Sequence, residues 1–180
     1  FLPSILLSPI YGLTPLNQFT ARLPYVVINL LTALVLYLLV KKLFEDKTLA
    51  LISTMIFLAN PWSFYLSRTA SDTALALLFY LLGIFFILDN SRKKIFLSFL
   101  FFTFGFFAYH GAKPILIPLV ATCLVYRFFW SKNKLKFKQI GIFFTGIILV
   151  FCFYFFGNLM FPESINQNRS QDIIFLNQNL

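Results

Sequence analysis

Four basic residues in this sequence could bind a phosphate group, because each lies alone at the edge of an apolar run, beside polar or aromatic residues. They are Arg22, Arg68, Lys113 and Arg169. An arginine guanidinium offers two parallel N–H donors to a phosphate, and a lysine ammonium offers a compact positive charge. Grouped at the lip of a helical bundle, such cations would suit a lipid phosphate or pyrophosphate. The alternative is that each side chain only reaches towards the membrane surface or caps carbonyl groups.

The densest polar segment, residues 61–72, has the sequence PWSFYLSRTASD. Arg68 and Asp72 are four residues apart, so on a continuous helix they would share a face and could pair. Two interpretations stay open. The pair could close the start of the next apolar helix, where the helix dipole favours a carboxylate. Alternatively, Arg68 binds a phosphate and Asp72 binds substrate.

A second cluster, residues 109–114, has the sequence YHGAKP and contains the single histidine. Tyr109, His110 and Lys113 are its candidate substrate-binding residues. His110 can carry a proton or donate to a phosphate near neutral pH, or it is only a hydrogen-bonded residue at the membrane boundary. One histidine without a cysteine cluster does not make a zinc site, and the sequence has no phosphate-binding glycine loop or nucleophile elbow. We therefore predict no metal and no cofactor.

The elements that must position these residues are apolar helices. Hydrophobic residues make up 59% of the 180 residues and charged residues 12%, against roughly 25% charged in soluble domains. A helix needs about 20 residues to cross a bilayer, so the shorter runs must extend into their flanks, and 48–60 is the weakest span. We predict an all-α, polytopic transmembrane helical bundle of about six spans. The apolar runs are 25–40, 48–60, 73–88, 95–109, 114–129 and 139–161.

Three regions follow from this pattern. Residues 1–24 contain four prolines, which break helices, and we predict an outward loop or interfacial segment there. Residues 25–161 form the transmembrane region, and residues 162–180 form an outward polar segment that is truncated. The chain starts at Phe1 without a signal-peptide pattern, so we expect it to be part of a longer protein.

The distribution of positive charge predicts the orientation of the bundle. Eleven of the 15 basic residues fall in three connections on alternate sides of the runs, within residues 41–47, 92–94 and 127–138. The positive-inside rule places these three connections in the cytoplasm. Residues 1–24, 61–72, 110–113 and 162–180 then face outward. This alternation excludes a single basic patch for nucleic acid, and it predicts a multi-pass protein of the plasma membrane.

Several strings of this sequence, in this order, resemble the GT-C membrane glycosyltransferases. The resemblance is narrower to the bacterial branch related to protein O-mannosyltransferases and the lipid A aminoarabinose transferase. Departures from that pattern are conservative at Asp72, where the branch has Glu, and larger at Gly111 and Lys113, where it has Ser and Arg. The strings are SPIY at 8–11, NQFTARLP at 17–24, YLLVKKLF at 37–44, PWSFYLSRTASD at 61–72, YHGAK at 109–113 with Pro118, and NRSQDIIF at 168–175.

This resemblance implies a polytopic enzyme of the cell envelope that transfers a sugar from a polyprenyl-phosphate donor in the bilayer to a sugar or protein acceptor. The active site would face outward. Arg68, Lys113 and Arg169 would contact the donor phosphate, Asp72 would hold hydroxyl groups or orient Arg68, and Arg22 would bind substrate or brace the loop. The catalytic residue is unknown, since the resemblance places the general base upstream of Phe1.

Two other functions compete with this one. A transporter or flippase for a lipid-linked anion would use the same cations without a base, and charged residues buried in the middle of a span would favour it. A non-enzymatic membrane subunit would use the cations only to anchor headgroups.

Overall fold

The computed structural model describes residues 5, 7–9, 12, 17–69, 71–89, 91–129, 141, 146, 148, 150–152 and 154–156. All regular secondary structure in these residues is helical, so the prediction of an all-α fold is confirmed. Residues 1–140 and 141–180 form two compact units. The described residues of the second unit are helical. In the first unit, residues 5, 7–9 and 12 are helical, and the helices described over their full length are α1 (Gln18–Phe44), α2 (Lys47–Ala59), α3 (Pro61–Arg68), α4 (Asp72–Ile87), α5 (Arg92–Ala108), a 3₁₀ turn (His110–Ala112) and α6 (Lys113–Phe129).

Helix α1 begins before the apolar run that it contains. The Asn17 side chain accepts a hydrogen bond from the Thr20 backbone N–H at 2.8 Å, and the Thr20 hydroxyl accepts one from the Asn17 N–H at 3.0 Å. This reciprocal cap starts the helix at Gln18. Pro24 therefore lies inside α1, although the proline-rich stretch was expected to break helices. The proline ring fits helical φ, but Pro24 lies beyond the first turn and has no N–H to donate to the Thr20 carbonyl.

Among the described residues, one helix is long and apolar enough to cross a membrane, and a second element is so only if α2 and α3 form one bent span. Helix α1 has 27 residues and contains a window of mean hydropathy 2.3, and it is about 40 Å long. Helices α2 and α3 are long and apolar enough only when they are taken together, and they are bent by 56° at their junction. The 48–60 run is thus continued by α3, which is a helix where the sequence analysis placed an outward segment. Helix α4 is a shorter apolar helix of 16 residues. The total of about six spans stays a prediction.

The core of the first unit lies between α1, α3 and α4. Its buried members include Tyr25 and Ile28 of α1, Leu66 of α3 and Leu75 of α4. Helices α4 and α5 pack closely because small residues let them approach. The hydroxyl of Ser98 in α5 donates to the carbonyl oxygen of Gly83 in α4 at 2.7 Å.

Described residues from the basic segments meet at one end of this bundle, which we call the Asp89 end. Asp89 follows α4, and one of its carboxylate oxygens accepts from Lys42 at 2.8 Å and from Lys94 at 2.9 Å. The Arg127 guanidinium of α6 donates to the carbonyl oxygens of Ile87 and Asp89. One residue from each predicted basic segment, namely Lys42, Lys94 and Arg127, therefore lies at this end, while residues 130–138 of the third segment lie outside the described residues. That this side is cytoplasmic stays a prediction of the positive-inside rule.

Arg127 has a different setting from the one that the sequence analysis gave it. It was counted with the basic connection after the fifth run and lies in the last turn of that run, which is α6, but its side chain is fully buried. Carbonyl groups at the end of a helix have no helical N–H partner. Its guanidinium meets that need for α4, and this explains why a charged side chain is buried there.

We expect Gly105→Ala to lower the melting temperature of the detergent-purified protein. A Cβ at position 105 would overlap the ring of Tyr80, and that ring is held because its hydroxyl donates to the Ala112 carbonyl at 2.8 Å. Overpacking of this kind costs about 1–3 kcal/mol, or several degrees of melting temperature. Gly141→Ala is the control, since no described atom lies within 4 Å of its Cβ position. Equal melting temperatures for the two variants would contradict the close packing.

We expect the stability to fall at acidic pH through Asp89. Burial raises the pKa of this carboxyl group, but the hydrogen bonds and charges of Lys42 and Lys94 outweigh burial and lower it overall. A carboxyl group with a lowered folded-state pKa stabilises the fold above its unfolded-state pKa of about 4, and this contribution is lost as the pH falls through the folded-state pKa. Asp89→Asn should therefore lower the melting temperature at neutral pH by about 1–3 °C.

The measurement is thermal unfolding in detergent between about pH 7 and pH 3. The melting temperature of Asp89→Asn should fall less than that of the parent over this range. If the two curves run parallel, Asp89 does not contribute to the acid sensitivity.

Candidate functional site at the Asp72 end

The opposite end of the bundle, which we call the Asp72 end, contains the start of α4 and the last turn of α3. The structure does not form the helix that would pair Arg68 with Asp72. Helix α3 ends at Arg68 with Thr69 as its C-cap, and Ser71 starts α4 by accepting a hydrogen bond from the Thr73 N–H at 3.3 Å. Asp72 is consequently in the first turn of a new helix. Among the described residues, no ion pair joins Arg68 to Asp72.

The Arg68 guanidinium is placed by an aromatic ring instead. It lies over the Phe64 ring, 5.4 Å from its centroid, one turn back on α3. Arginine stacks well on aromatic faces and keeps its in-plane N–H donors available in that arrangement. Its side chain is exposed. Arg68 is thus a cation with no carboxylate within ion-pair distance in the described part of the chain.

Asp72 has one described side-chain partner, and it comes from α1. The Tyr25 hydroxyl donates to an Asp72 carboxylate oxygen at a long distance of 3.4 Å. Tyr25 is buried and Asp72 is exposed, so the carboxylate remains accessible to a ligand. Asp72 lies in the first turn of α4, where the amino end of a helix carries partial positive charge.

Helix α3 is anchored to α1 by a polar pair. The Asn29 amide donates to the Ser63 hydroxyl at 3.0 Å, and this hydroxyl also lies 3.2 Å from the Asn29 carbonyl oxygen. Ser63 is buried. On the exposed side of α3, Trp62 and Tyr65 stack with ring centroids 5.6 Å apart. The anchor fixes which face of α3 is turned towards α1, and with it the position of Arg68.

The second predicted cluster is the connection between α5 and α6. His110 begins the 3₁₀ turn and Lys113 begins α6. The Lys113 ammonium lies 5.6 Å from the centroid of the Phe106 ring, and its side chain is half-buried. The Tyr80 hydroxyl ties the turn to α4 through its hydrogen bond to the Ala112 carbonyl. Both predicted clusters are therefore attached to α4.

Gly111 explains one departure from the pattern of the resembled family. A Cβ at this position would lie 2.6 Å from the Tyr109 ring. A serine there would require that ring to move. The half-buried Tyr109 thus packs against its own turn, and the glycine permits this contact.

The remaining predicted residues are not brought into these contacts. Arg22 is exposed in the second turn of α1. Arg169 lies outside the described residues. The described part of the chain contains no group of three or more potential metal ligands.

Three side chains that organise this end were missed by sequence reasoning: Tyr25, Asn29 and Ser63. A signal was present for Asn29, since it is the one amide side chain inside the 25–40 apolar run, and polar groups within spans usually have partners. Nothing in the spacing distinguished Tyr25 from other tyrosines at span ends.

We expect Asn29 and Ser63 to be energetically coupled. Asn29→Ala, Ser63→Ala and the double variant form a cycle, and hydrogen bonds between membrane helices contribute about 0.6 kcal/mol on average and up to about 1.7. The coupling energy is obtained from the free energies of unfolding of the parent and the three variants in mixed micelles. Thr122→Ala combined with Asn29→Ala is the control, because the Thr122 hydroxyl donates to Pro118 within its own helix. Additive effects in the first cycle would show that the pair does not anchor α3.

Comparison with known proteins supports the resemblance noted in the sequence. The family model described as dolichyl-phosphate-mannose-protein mannosyltransferase matches residues 2–158, a range that includes both predicted clusters. No curated protein and no solved structure matches the chain. Because the family model covers most of its length, the chain belongs to the dolichyl-phosphate-mannose-protein mannosyltransferase family, a family of GT-C membrane glycosyltransferases.

Proposed function

We propose that this chain forms part of a membrane glycosyltransferase that uses a polyprenyl-phosphate sugar donor and acts at the extracytoplasmic face of the plasma membrane. Family membership supports glycosyl transfer. The observation that carries the donor assignment is the exposed Arg68 guanidinium, which lies over Phe64 and has no carboxylate partner in the described part of the chain.

The orientation of this proposal rests on charge. The Asp72 end is opposite the end where Lys42, Lys94 and Arg127 meet. If the positive-inside rule holds for this bundle, the Asp72 end faces outward. A polyprenyl phosphate has its headgroup at the membrane surface, so cations at the lip of the bundle are suitably placed to meet it.

The reaction requires an acceptor hydroxyl oxygen to attack the anomeric carbon of the sugar. The bond from that carbon to the phosphate oxygen breaks, the lipid phosphate leaves, and the hydroxyl proton passes to a base. Negative charge grows on the departing phosphate, and positive groups held beside it stabilise the transition state. We assign this role to Arg68 and Lys113. We assign the binding of sugar or acceptor hydroxyl groups to Asp72, with Tyr25 orienting its carboxylate.

The remaining candidate residues and the competing flippase function have less support. Tyr109, His110 and Arg169 are candidate substrate-binding residues by resemblance. We assign Arg22 to bracing the loop before α1. A flippase would be favoured by a charge buried in the middle of a span. Among the described residues the buried charged side chain is Arg127, which lies near the end of α6 and caps α4.

The test is sugar transfer from a polyprenyl-phosphate sugar by membranes that contain the intact protein. We expect Arg68→Ala to lower the specificity constant about 10- to 100-fold, the cost of losing a charged hydrogen bond to phosphate, and Arg68→Lys to recover part of it. Lys47→Ala, which removes an exposed charge at the Asp89 end, is the control with equal loss of charge. Unchanged transfer by Arg68→Ala would overturn the phosphate role. Movement of the lipid across the bilayer without sugar transfer would favour the flippase.

A further inference from the structure

The Asp89 end carries an excess of positive charge that the proposed transfer reaction does not use. Seven basic and three acidic residues lie within 41–47, within 89–94 and at 127. Four lysines form what we call the basic surface, since they come from the end of α1 and the start of α5, beside Asp89. They are Lys41, Lys42, Lys93 and Lys94.

The geometry holds part of this surface in place. Lys42 and Lys94 share one oxygen of Asp89, and Lys42 also donates to the Phe85 carbonyl at 3.0 Å. One carboxylate thus fixes two ammonium groups as near neighbours and leaves a net positive charge. An ammonium has three N–H donors, and the half-exposed Lys94 makes one described hydrogen bond to Asp89.

Two further lysines extend the surface without ion-pair partners among the described residues. Lys41 and Lys93 are exposed and take part in neither described ion pair. Lys41 lies 5.9 Å from the centroid of the Tyr37 ring one turn earlier. A tyrosine beside a lysine at the end of an apolar helix is typical of the membrane–water interface.

The apolar side chains beside this surface suit lipid tails. Phe44 is 63% exposed at the end of α1, and Phe96 is 59% exposed one turn into α5. The surface therefore combines clustered ammonium groups at the level of headgroups with exposed aromatic rings next to them. Clusters of lysine beside a membrane helix attract anionic lipids.

We propose that the basic surface binds the headgroup of an anionic phospholipid in the leaflet at the Asp89 end. The phosphate of that lipid would accept hydrogen bonds from Lys93 and Lys94, with Lys41 adding attraction from α1. Binding would link the ends of two helices that Asp89 already brings together. This proposal needs a membrane at the Asp89 end but does not rest on glycosyl transfer.

The test is a separate titration of the detergent-purified intact protein with short-chain phosphatidylglycerol, short-chain phosphatidylcholine and inorganic phosphate. The shift in melting temperature measures the binding of each. Each lysine near an anionic headgroup contributes a factor of about 5 in affinity, so phosphatidylglycerol should bind at least 10-fold more tightly than phosphatidylcholine. Lys41→Gln and Lys93→Gln should each weaken the affinity for phosphatidylglycerol about 5-fold.

Two controls make the outcome decisive. Arg22→Gln removes the same charge from the Asp72 end and should leave the affinity unchanged, whereas Lys93→Arg keeps the charge and should retain the affinity. Both tested lysines are exposed and lie outside the described ion pairs, so the variants should keep the parent melting temperature without lipid. Equal affinity for the two lipids, or equal loss with Arg22→Gln, would overturn the proposal. Binding of inorganic phosphate as tight as that of phosphatidylglycerol would also overturn it.

Discussion

The last turn of α4 ends in carbonyl groups that have no helical N–H donors, and within an apolar bundle these groups need other partners. Lys42 reaches the Phe85 carbonyl and Arg127 reaches those of Ile87 and Asp89. These donors come from α1 and α6, while Lys94 of α5 joins them through the Asp89 carboxylate. Side chains from α1, α5 and α6 therefore meet at one end of α4, and two of these helices complete its hydrogen bonds.

The alternation of basic connections was enough to predict that distant segments meet at one end, because charge avoids the apolar phase and marks where each run stops. It could not predict that the Arg127 side chain is buried while the other basic residues mark the ends of the runs. That depends on which carbonyls lie nearby after packing, and no local pattern contains this information. Pro24 was expected to break a helix, but a cap at Asn17 starts α1 early enough to include it.

At the Asp72 end, residue types and order identified Arg68, Asp72 and the turn from Tyr109 to Lys113 as the groups to consider, and the structure attaches both clusters to α4. Spacing suggested a pair between Arg68 and Asp72, but a helix break at Thr69 and Ser71 separates them. Partners such as Tyr25 and Ser63 were hidden because they are 47 and 34 residues from the groups that they bind. Long-range contacts of this kind require the fold.

Asn60 is both the C-cap of α2 and the N-cap of α3. It ends α2, with its N–H bonded to the Phe57 carbonyl, and its side chain accepts a bond from the Trp62 N–H to start α3. With no spare residue at this junction, the gain or loss of one residue would turn α3 about its axis by about 100°. Ser63 would then leave α1, and Arg68 would point elsewhere. Chain length at the junction is therefore constrained more tightly than side-chain identity, and evolution should tolerate substitutions there more readily than insertions or deletions.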